Sequence, residues 1–286
     1  MSLTTLREAL AHASQHNYGI GAFNFTDEHT FFGILETAIA EKSPVILQIA
    51  EKHLKLIHID HQIYSFRHAA EAASVPVVIH LDHASTYETI QHVCEIGFTS
   101  VMYDGSALPL EENIANTKRV VDMAHPMGIS VEAELGHVGG ATDEVNGPTL
   151  SGMHYTDPAL VPDFLKRTGI DALAVAVGTV HGLVKIPAAL RFDILQQIRQ
   201  TTGLPLVLHG GSGLSDDEFR EAVANGIRKI NFHSAVSKAC VDAIRATLEA
   251  KPDLKRYQEL NMIIEGAVRD QACHYMRVWG SSGKAE

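Results

Sequence analysis

Eight short apolar runs, rich in Val, Ile and Ala, punctuate the chain at residues 19–24, 44–50, 75–83, 100–106, 130–136, 172–178, 205–211 and 229–234. Each is followed by a longer amphipathic segment. Within the runs the apolar character is nearly continuous rather than alternating, which suits parallel strands covered on both faces. Eight β-α units with no strong linker predict an α/β protein, a (β/α)8 TIM barrel over residues 1–286 as a single domain, rather than an open doubly wound sheet. Ahead of the first run, Thr5-Leu-Arg-Glu8 has capping-box spacing and predicts a helix from Thr5 to about His16, with Leu6 and Leu10 on its core face. Asp157-Pro158 predicts an N-cap followed by proline at the first helical position, and Ser215-Asp-Asp-Glu218 is a second capping-box match. Beyond Pro252 the pattern predicts a helical C-terminal extension to Gly280. One connection, Val138 to Tyr155, is out of proportion, and loops of this length serve as lids or binding loops unless they are plain surface excursions.

The polar residues that interrupt this pattern fall at the ends of the runs. In a barrel the chemistry sits at the C-terminal ends of the strands. Asn24, Asp82, His83, Asp104, Glu134, His181, His209, Ser212 and Asn231 all lie at or just past such ends and would converge on one mouth. His80-Leu-Asp-His83 places two imidazoles and a carboxylate in four residues, a cluster that is costly to bury unless it binds something. His83, His181 and His209, on three strand ends, suit a catalytic zinc, which takes three protein ligands and keeps one position open; singly, each would read as a structural histidine. His80 reads as a support. Asp82 is either a general acid/base tuned by a neighbouring cation and by burial, or a carboxylate that orients a ligand. Glu132 and Glu134 share a strand face, and one of them can hold a second cation, orient a ligand or simply hydrogen-bond. Gly210-Gly-Ser-Gly213 ahead of a capped helix is a phosphate cradle or a plain strand-to-helix turn. Asn231 with Phe232-His233-Ser234 would complete the cradle from the eighth strand.

Composition narrows the classes. Hydrophobic residues make up 45% of 286 residues, enough for a large core, and no run approaches the roughly 20 apolar residues that span a bilayer. The start of the chain shows no secretory pattern. Cys94, Cys240 and Cys273 are widely spaced, with neither zinc nor redox spacing, and imply free thiols in a reducing, cytoplasmic setting. A net charge of −11 argues against nucleic acid as a partner. It leaves an anionic substrate open, because a metal, main-chain amides and helix N-termini all create local positive fields.

The chain resembles the class II, zinc-dependent ketose-bisphosphate aldolases, in particular the shorter subgroup with fructose- and tagatose-bisphosphate aldolases. The resemblance rests on Gly21-Ala-Phe-Asn24, His80-Leu-Asp-His83, Val101-Met-Tyr-Asp-Gly-Ser106, Val131-Glu-Ala-Glu-Leu-Gly136, Val180-His-Gly182, Leu208-His-Gly-Gly-Ser-Gly213 and Lys229-Ile-Asn231, in this order. It implies that His83, His181 and His209 hold zinc, that Asp104 and Glu134 sit near the metal, and that Asp82 handles the proton of the hydroxyl at the cleaved bond. It implies too that Gly182, Gly211, Ser212 and Asn231 bind a small sugar phosphate beside a monovalent cation (Na+ or K+), in a homodimer or homotetramer; Asn24, His233 and Ser234 join them as substrate-binding candidates from their own places at strand ends, and no membrane partner is expected. Two departures matter. Relatives often carry an acid two residues after the Gly-Gly of the long loop, whereas here Gly139-Gly140 is followed by Ala141-Thr142 and the acids come at Asp143 and Glu144, so Glu144 (or Asp143) is the expected loop base. His233, Ser234, Ala235 and Ala50 also differ from the common pattern, on the phosphate and triose side. Fructose or tagatose 1,6-bisphosphate lead as substrates, with a sugar acid or a longer sugar phosphate as alternatives. Metal-assisted hydrolysis, Schiff-base chemistry and a non-catalytic sugar-phosphate-binding barrel are the rival readings.

Overall fold

Every predicted run overlaps a strand. The computed structural model describes residues 2–139, 154–182 and 190–285, so Asp143 and Glu144 lie outside the described residues. The strands are β1 (Ile20–Asn24), β2 (Val45–Ala50), β3 (Val77–Ala84), β4 (Ser100–Tyr103), β5 (Ser130–Leu135), β6 (Ala172–Val175), β7 (Leu206–Leu208) and β8 (Ile227–Phe232). They pair in sequence order, and β8 returns to β1 to close a parallel barrel. Between them run α2 (Glu28–Ala40), α3 (Ile59–Ala72), α4 (Tyr87–Ile96), α5 (Leu110–Ala124), α6 (Val161–Thr168), α7 (Phe192–Thr201) and α8 (Asp216–Ala224). A helix α1 (Leu6–His16) precedes the barrel, and α9 (Ser234–Ala250) and α10 (Gln258–Val278) follow it. The fold is a (β/α)8 TIM barrel with a helical C-terminal extension.

The strand period of two divides the apolar residues into two cores. Outward positions such as Leu47, Ile79, Val101, Val131, Leu173, Leu208 and Ile230 pack against the helix ring. Inward positions Ile20, Ala22, Ile46, Val78, Met102, Ala172, Ala174 and Val207 fill the lower lumen, where Leu6, Leu10 and Ala13 of α1 plug the end of the barrel. Toward the mouth the inward positions turn polar: Asn24, Gln48, His80, Glu132, His209 and Asn231 are all buried. The lumen therefore grades from hydrocarbon at the N-terminal end to ionisable groups at the mouth.

Both predicted capping boxes form, at Thr5/Glu8 and at Ser215/Glu218. The Asp157-Pro158 expectation is corrected: the helix begins three residues later, at Val161, with Pro162 in its first turn. Asp157 instead accepts from the Ala159 amide at 2.9 Å, closing a local turn that precedes the helix. At the other end, α10 runs into a tail that Ser281 ties to Ser43 at 2.8 Å. Among the described residues no helix is long and apolar enough to cross a membrane.

Candidate active site and metal centre

The mouth is organised by a break in β3. In a regular strand, neighbours point to opposite faces, so Asp82 and His83 could not both face the lumen. Here three steps on β3 (Leu81 to Ala84) oppose two on β4 (Val101 to Tyr103), a bulge. His83 takes a left-handed backbone with φ of 47°, a conformation that costs an L-residue roughly 1–2 kcal/mol. The bulge brings His83 Nε2 to 3.9 Å from Asp82 Oδ1.

Asp82 is held by amides from three other strands. Asn24 Nδ2 donates to its Oδ2 at 2.9 Å, Gln48 Nε2 to the same oxygen at 3.3 Å, and Asn231 Nδ2 to Oδ1 at 2.9 Å. Burial opposes its ionisation, but His83, Lys229, His209 and the Asn24 hydrogen bond outweigh it and hold the carboxyl well below the usual range.

His83, His181 and His209 each offer one ring nitrogen within 4.8 Å of the others, and His83, Asp104 and Glu134 form a second such group. Carboxylates orient two of the rings from behind: His83 Nδ1 meets Asp104 Oδ2 at 2.8 Å, and His209 Nε2 meets Glu132 Oε1 at 2.9 Å. Such pairs set the tautomer of metal-binding histidines. Asp104 in turn accepts from the Ser106 hydroxyl at 2.6 Å, and Ser106 contacts His137 Nδ1 at 2.8 Å. His137 bridges His154 at the neck of the long connection.

The electrostatics fit a cation. His83 Nε2 and His209 Nδ1 face each other at 2.7 Å, and two lone pairs at that separation require a proton or a metal ion between them. Burial opposes charge on His83, yet Asp82, Asp104 and Glu134 outweigh it and push the imidazole up to about 9. Burial and the neighbouring His83 and His209 drive His181 down to about 3, while burial and Asp104 lift Glu134 to about 8. Glu134 Oε2 is buried without a hydrogen-bond partner. One imidazole that gathers charge and one carboxyl that gives it up, beside an orphaned oxygen, form a donor set whose protons a divalent ion displaces.

The glycine turn lies where the sequence puts it but is fed by a different helix. Gly211–Gly213 is a single 3-10 turn, and Ser215 already caps the α8 amide of Glu218. The helix end that faces the turn is α9, which starts at Ser234 behind His233. Ser212 Oγ is 3.4 Å from the Ala235 amide. His233 also stands beside His53, with ring centroids 5.7 Å apart. Gly182 follows His181 with φ of 103°.

Three contributors were not singled out as site residues in the sequence. Gln48 and Lys229 are fully buried in the lumen, and His137 stands beyond the end of β5. The first two lie two residues beyond Ile46 and before Asn231 on inward-facing strand positions, so the period of two is the signal that would have found them.

Comparison with known proteins agrees with this geometry. A family model described as fructose-bisphosphate aldolase class-II matches residues 4–284. A fructose-bisphosphate aldolase of Geobacillus stearothermophilus is 40% identical over 290 residues, covering 100% of this chain and 99% of that one. The YdjI protein of Escherichia coli K12 is 37% identical over 274 residues, 96% of each chain. The crystal structure of that YdjI aldolase superposes with a TM-score of 0.88 at 34% identity, covering 99% of this chain and 100% of that one. The chain belongs to the class II fructose-bisphosphate aldolase family and is a class II aldolase, a carbon–carbon lyase.

Proposed function

We propose that the enzyme is zinc-dependent, with His83, His181 and His209 as ligands, and that it reversibly cleaves a ketose phosphate to dihydroxyacetone phosphate and an aldehyde. The observation that carries this reading is the convergence of three imidazole nitrogens within 4.8 Å beside an Asp82 carboxylate pinned by three amides. Zinc, when bound, supplies Lewis-acid stabilisation of the charge left on the triose fragment. Asp82 takes the proton of the C4 hydroxyl as the C3–C4 bond breaks, and returns it in the condensation direction. Asn24, Gln48 and Asn231 keep its two oxygens oriented so that no reorganisation is needed at that moment. Asp104 and Glu134 steady His83 and offer a second cation position. Glu144 or Asp143 handles the proton at the triose carbon. The Gly211–Ser212 turn, Gly182, Asn231, His233 and Ser234 receive the phosphate at the start of α9, with a monovalent cation beside it.

Fructose or tagatose 1,6-bisphosphate are the leading substrates, and the names of the relatives support fructose alone; His233, Ser234 and Ala50 keep other sugar phosphates in the panel. Lys229 is engaged in a buried ion pair, which speaks against a Schiff base. The cytoplasm suits the free thiols of Cys94, Cys240 and Cys273. The test is cleavage of a panel of ketose phosphates coupled to detection of dihydroxyacetone phosphate. A chelator should abolish turnover and zinc restore it. Zinc-loaded protein that releases no triose phosphate from any member would overturn the reading. E144Q and D143N, assayed separately for exchange of the triose proton with solvent, identify the loop base; intact exchange in both removes it from this pair.

A further inference from the structure

Beneath the mouth, the lumen holds an ion pair that the reaction above does not use. Lys229 on β8 and Glu132 on β5 are both fully buried, with Nζ 2.9 Å from Oε2. Burying two charges is costly unless each is fully engaged, and here each has a second arm. Lys229 Nζ donates to Asn231 Oδ1 at 2.7 Å. Glu132 Oε1 meets His209 Nε2 at 2.9 Å.

An ammonium has only donors and a carboxylate has only acceptors. The Asn231 atom that faces Lys229 is therefore its carbonyl oxygen, and the amide NH2 is turned toward Asp82. The His209 nitrogen that faces Glu132 must carry the hydrogen, which leaves Nδ1 bare and directed at His83. Without this pair His209 could take either of two nearly isosteric arrangements, and Asn231 would be held in its orientation by Asp82 alone. We propose that Lys229 and Glu132 are positioning residues that fix the hydrogen bonding of the site from below, one arm setting which nitrogen His209 presents to the metal and the other anchoring the Asn231 amide with its NH2 on Asp82. The inference rests on the reading of His83, His181 and His209 as a metal centre.

The two arms separate by substitution. E132Q is nearly isosteric; its carboxamide turns its oxygen to Lys229 and its NH2 to His209 Nε2, which forces the hydrogen onto Nδ1. K229M removes the donor to both arms. S100A serves as a control for disturbance next to the pair that removes neither arm: Ser100 Oγ pairs with His80 Nδ1 at 2.8 Å, and His80 Nε2 stands 3.6 Å from Glu132 Oε2. Three readings are taken on each protein: the imidazole nitrogen shifts of 15N-histidine-labelled, metal-free samples, zinc affinity by competition with a chromogenic chelator, and thermal unfolding. In the wild type His209 should carry its hydrogen on Nε2. E132Q should move it to Nδ1 and weaken zinc binding about 10–100-fold, with kcat recovering at saturating zinc. K229M should weaken zinc and also keep a lowered kcat at saturation, since Asn231, no longer anchored from below, positions Asp82 less firmly. S100A should leave the His209 tautomer and zinc affinity unchanged.

Folded E132Q with the wild-type tautomer and zinc affinity within about twofold of wild type would overturn the proposal; should K229M fail to fold, E132Q decides alone. A wild type that binds no zinc at these histidines would sink the metal reading instead. The tautomer of metal-free E132Q would still report on the pin.

Discussion

At the N-terminal end of the barrel, Asp171 accepts from Arg7 Nε at 2.6 Å, from the Val131 amide at 2.7 Å and meets His125 Nε2 at 3.0 Å, so both of its oxygens are satisfied. The apolar plug of α1 sits directly on this cluster, with the Arg7 amide donating to Ser130 Oγ. At the mouth, the same sheet carries the opposite arrangement. Like groups crowd together, Glu134 Oε2 and Gln48 Oε1 lack hydrogen-bond partners, and His83 is held in a left-handed backbone. One end matches donors to acceptors and packs them under hydrocarbon; the other collects unmatched ones. Unsatisfied buried groups and backbone strain cost stability and persist where they are used. The comparison assigns stability to the lower end and chemistry to the upper, along the same eight strands.

The largest effect should come from Asp82. D82N removes the proton acceptor and should lower kcat about 10²–10⁴-fold. Three amide donors and the neighbouring His83 and Lys229 favour the carboxylate, so its loss should also lower the thermal midpoint at neutral pH. Steady-state cleavage and a melting curve on the same sample check both halves. A fall as large as a core truncation gives would mean that the mouth, too, holds the fold together.

Leu10→Ala tests the lower end. The side chain is fully buried in the plug, so truncation should cost about 2–5 kcal/mol, by the loss of transfer energy and the cavity left behind. Denaturant unfolding measures it. Turnover at a temperature where the variant stays folded should match wild type, and a loss there would show that the two ends are coupled.

Gly210→Ala is an intermediate case. Gly210 has φ of 66°, and a Cβ would sit 2.5 Å from the Val180 carbonyl. The left-handed strain costs roughly 1–2 kcal/mol, and the clash must displace the residue ahead of His181. A lower melting temperature and weaker zinc binding should therefore appear together. Unchanged zinc affinity would show that His181 is held from elsewhere.

The upper end was the more legible half of the sequence. Histidines that close apolar runs stand out against their neighbours, and strand order alone brings His83, His181 and His209 to one rim. Eight strands could be counted because lumen and helix ring both demand apolar side chains. The pairing of Lys229 with Glu132 was harder: Glu132 stood out only as a strand carboxylate with several open roles, Lys229 only as the start of an apolar run, and the contact that makes burial of Lys229 tolerable joins β8 to β5. The Asp171 cluster was illegible for the same reason, since its donors come from α1 and from the start of β5. The Asp157-Pro158 helix start failed because a local Asx turn and a capped helix share the same first residues. In each case the missing information was a contact distant in sequence.

The smallest effect lies on the lower side, at the seam where the tail returns. Glu41 follows α2, and its carboxylate receives Arg277 Nε at 3.0 Å and the Ser282 hydroxyl at 2.8 Å. Arg277 above all holds the Glu41 carboxyl down at about 2, against an ordinary 4.5. A carboxyl whose folded pKa lies below its unfolded one adds stability above the unfolded value and loses it as the pH falls toward the folded value. E41Q should therefore be less stable than wild type at pH 7. Its deficit should narrow as the pH drops from about 5 toward 3, where the unfolded wild type takes up its proton. Arg277 is 65% exposed, so solvent screens the pair and the deficit should stay near 0.5–1 kcal/mol. Added salt should shrink it further. A pH-independent deficit would place the effect in the hydrogen bonds to the tail rather than in the charge, and the lower end would then owe its matched character to geometry alone.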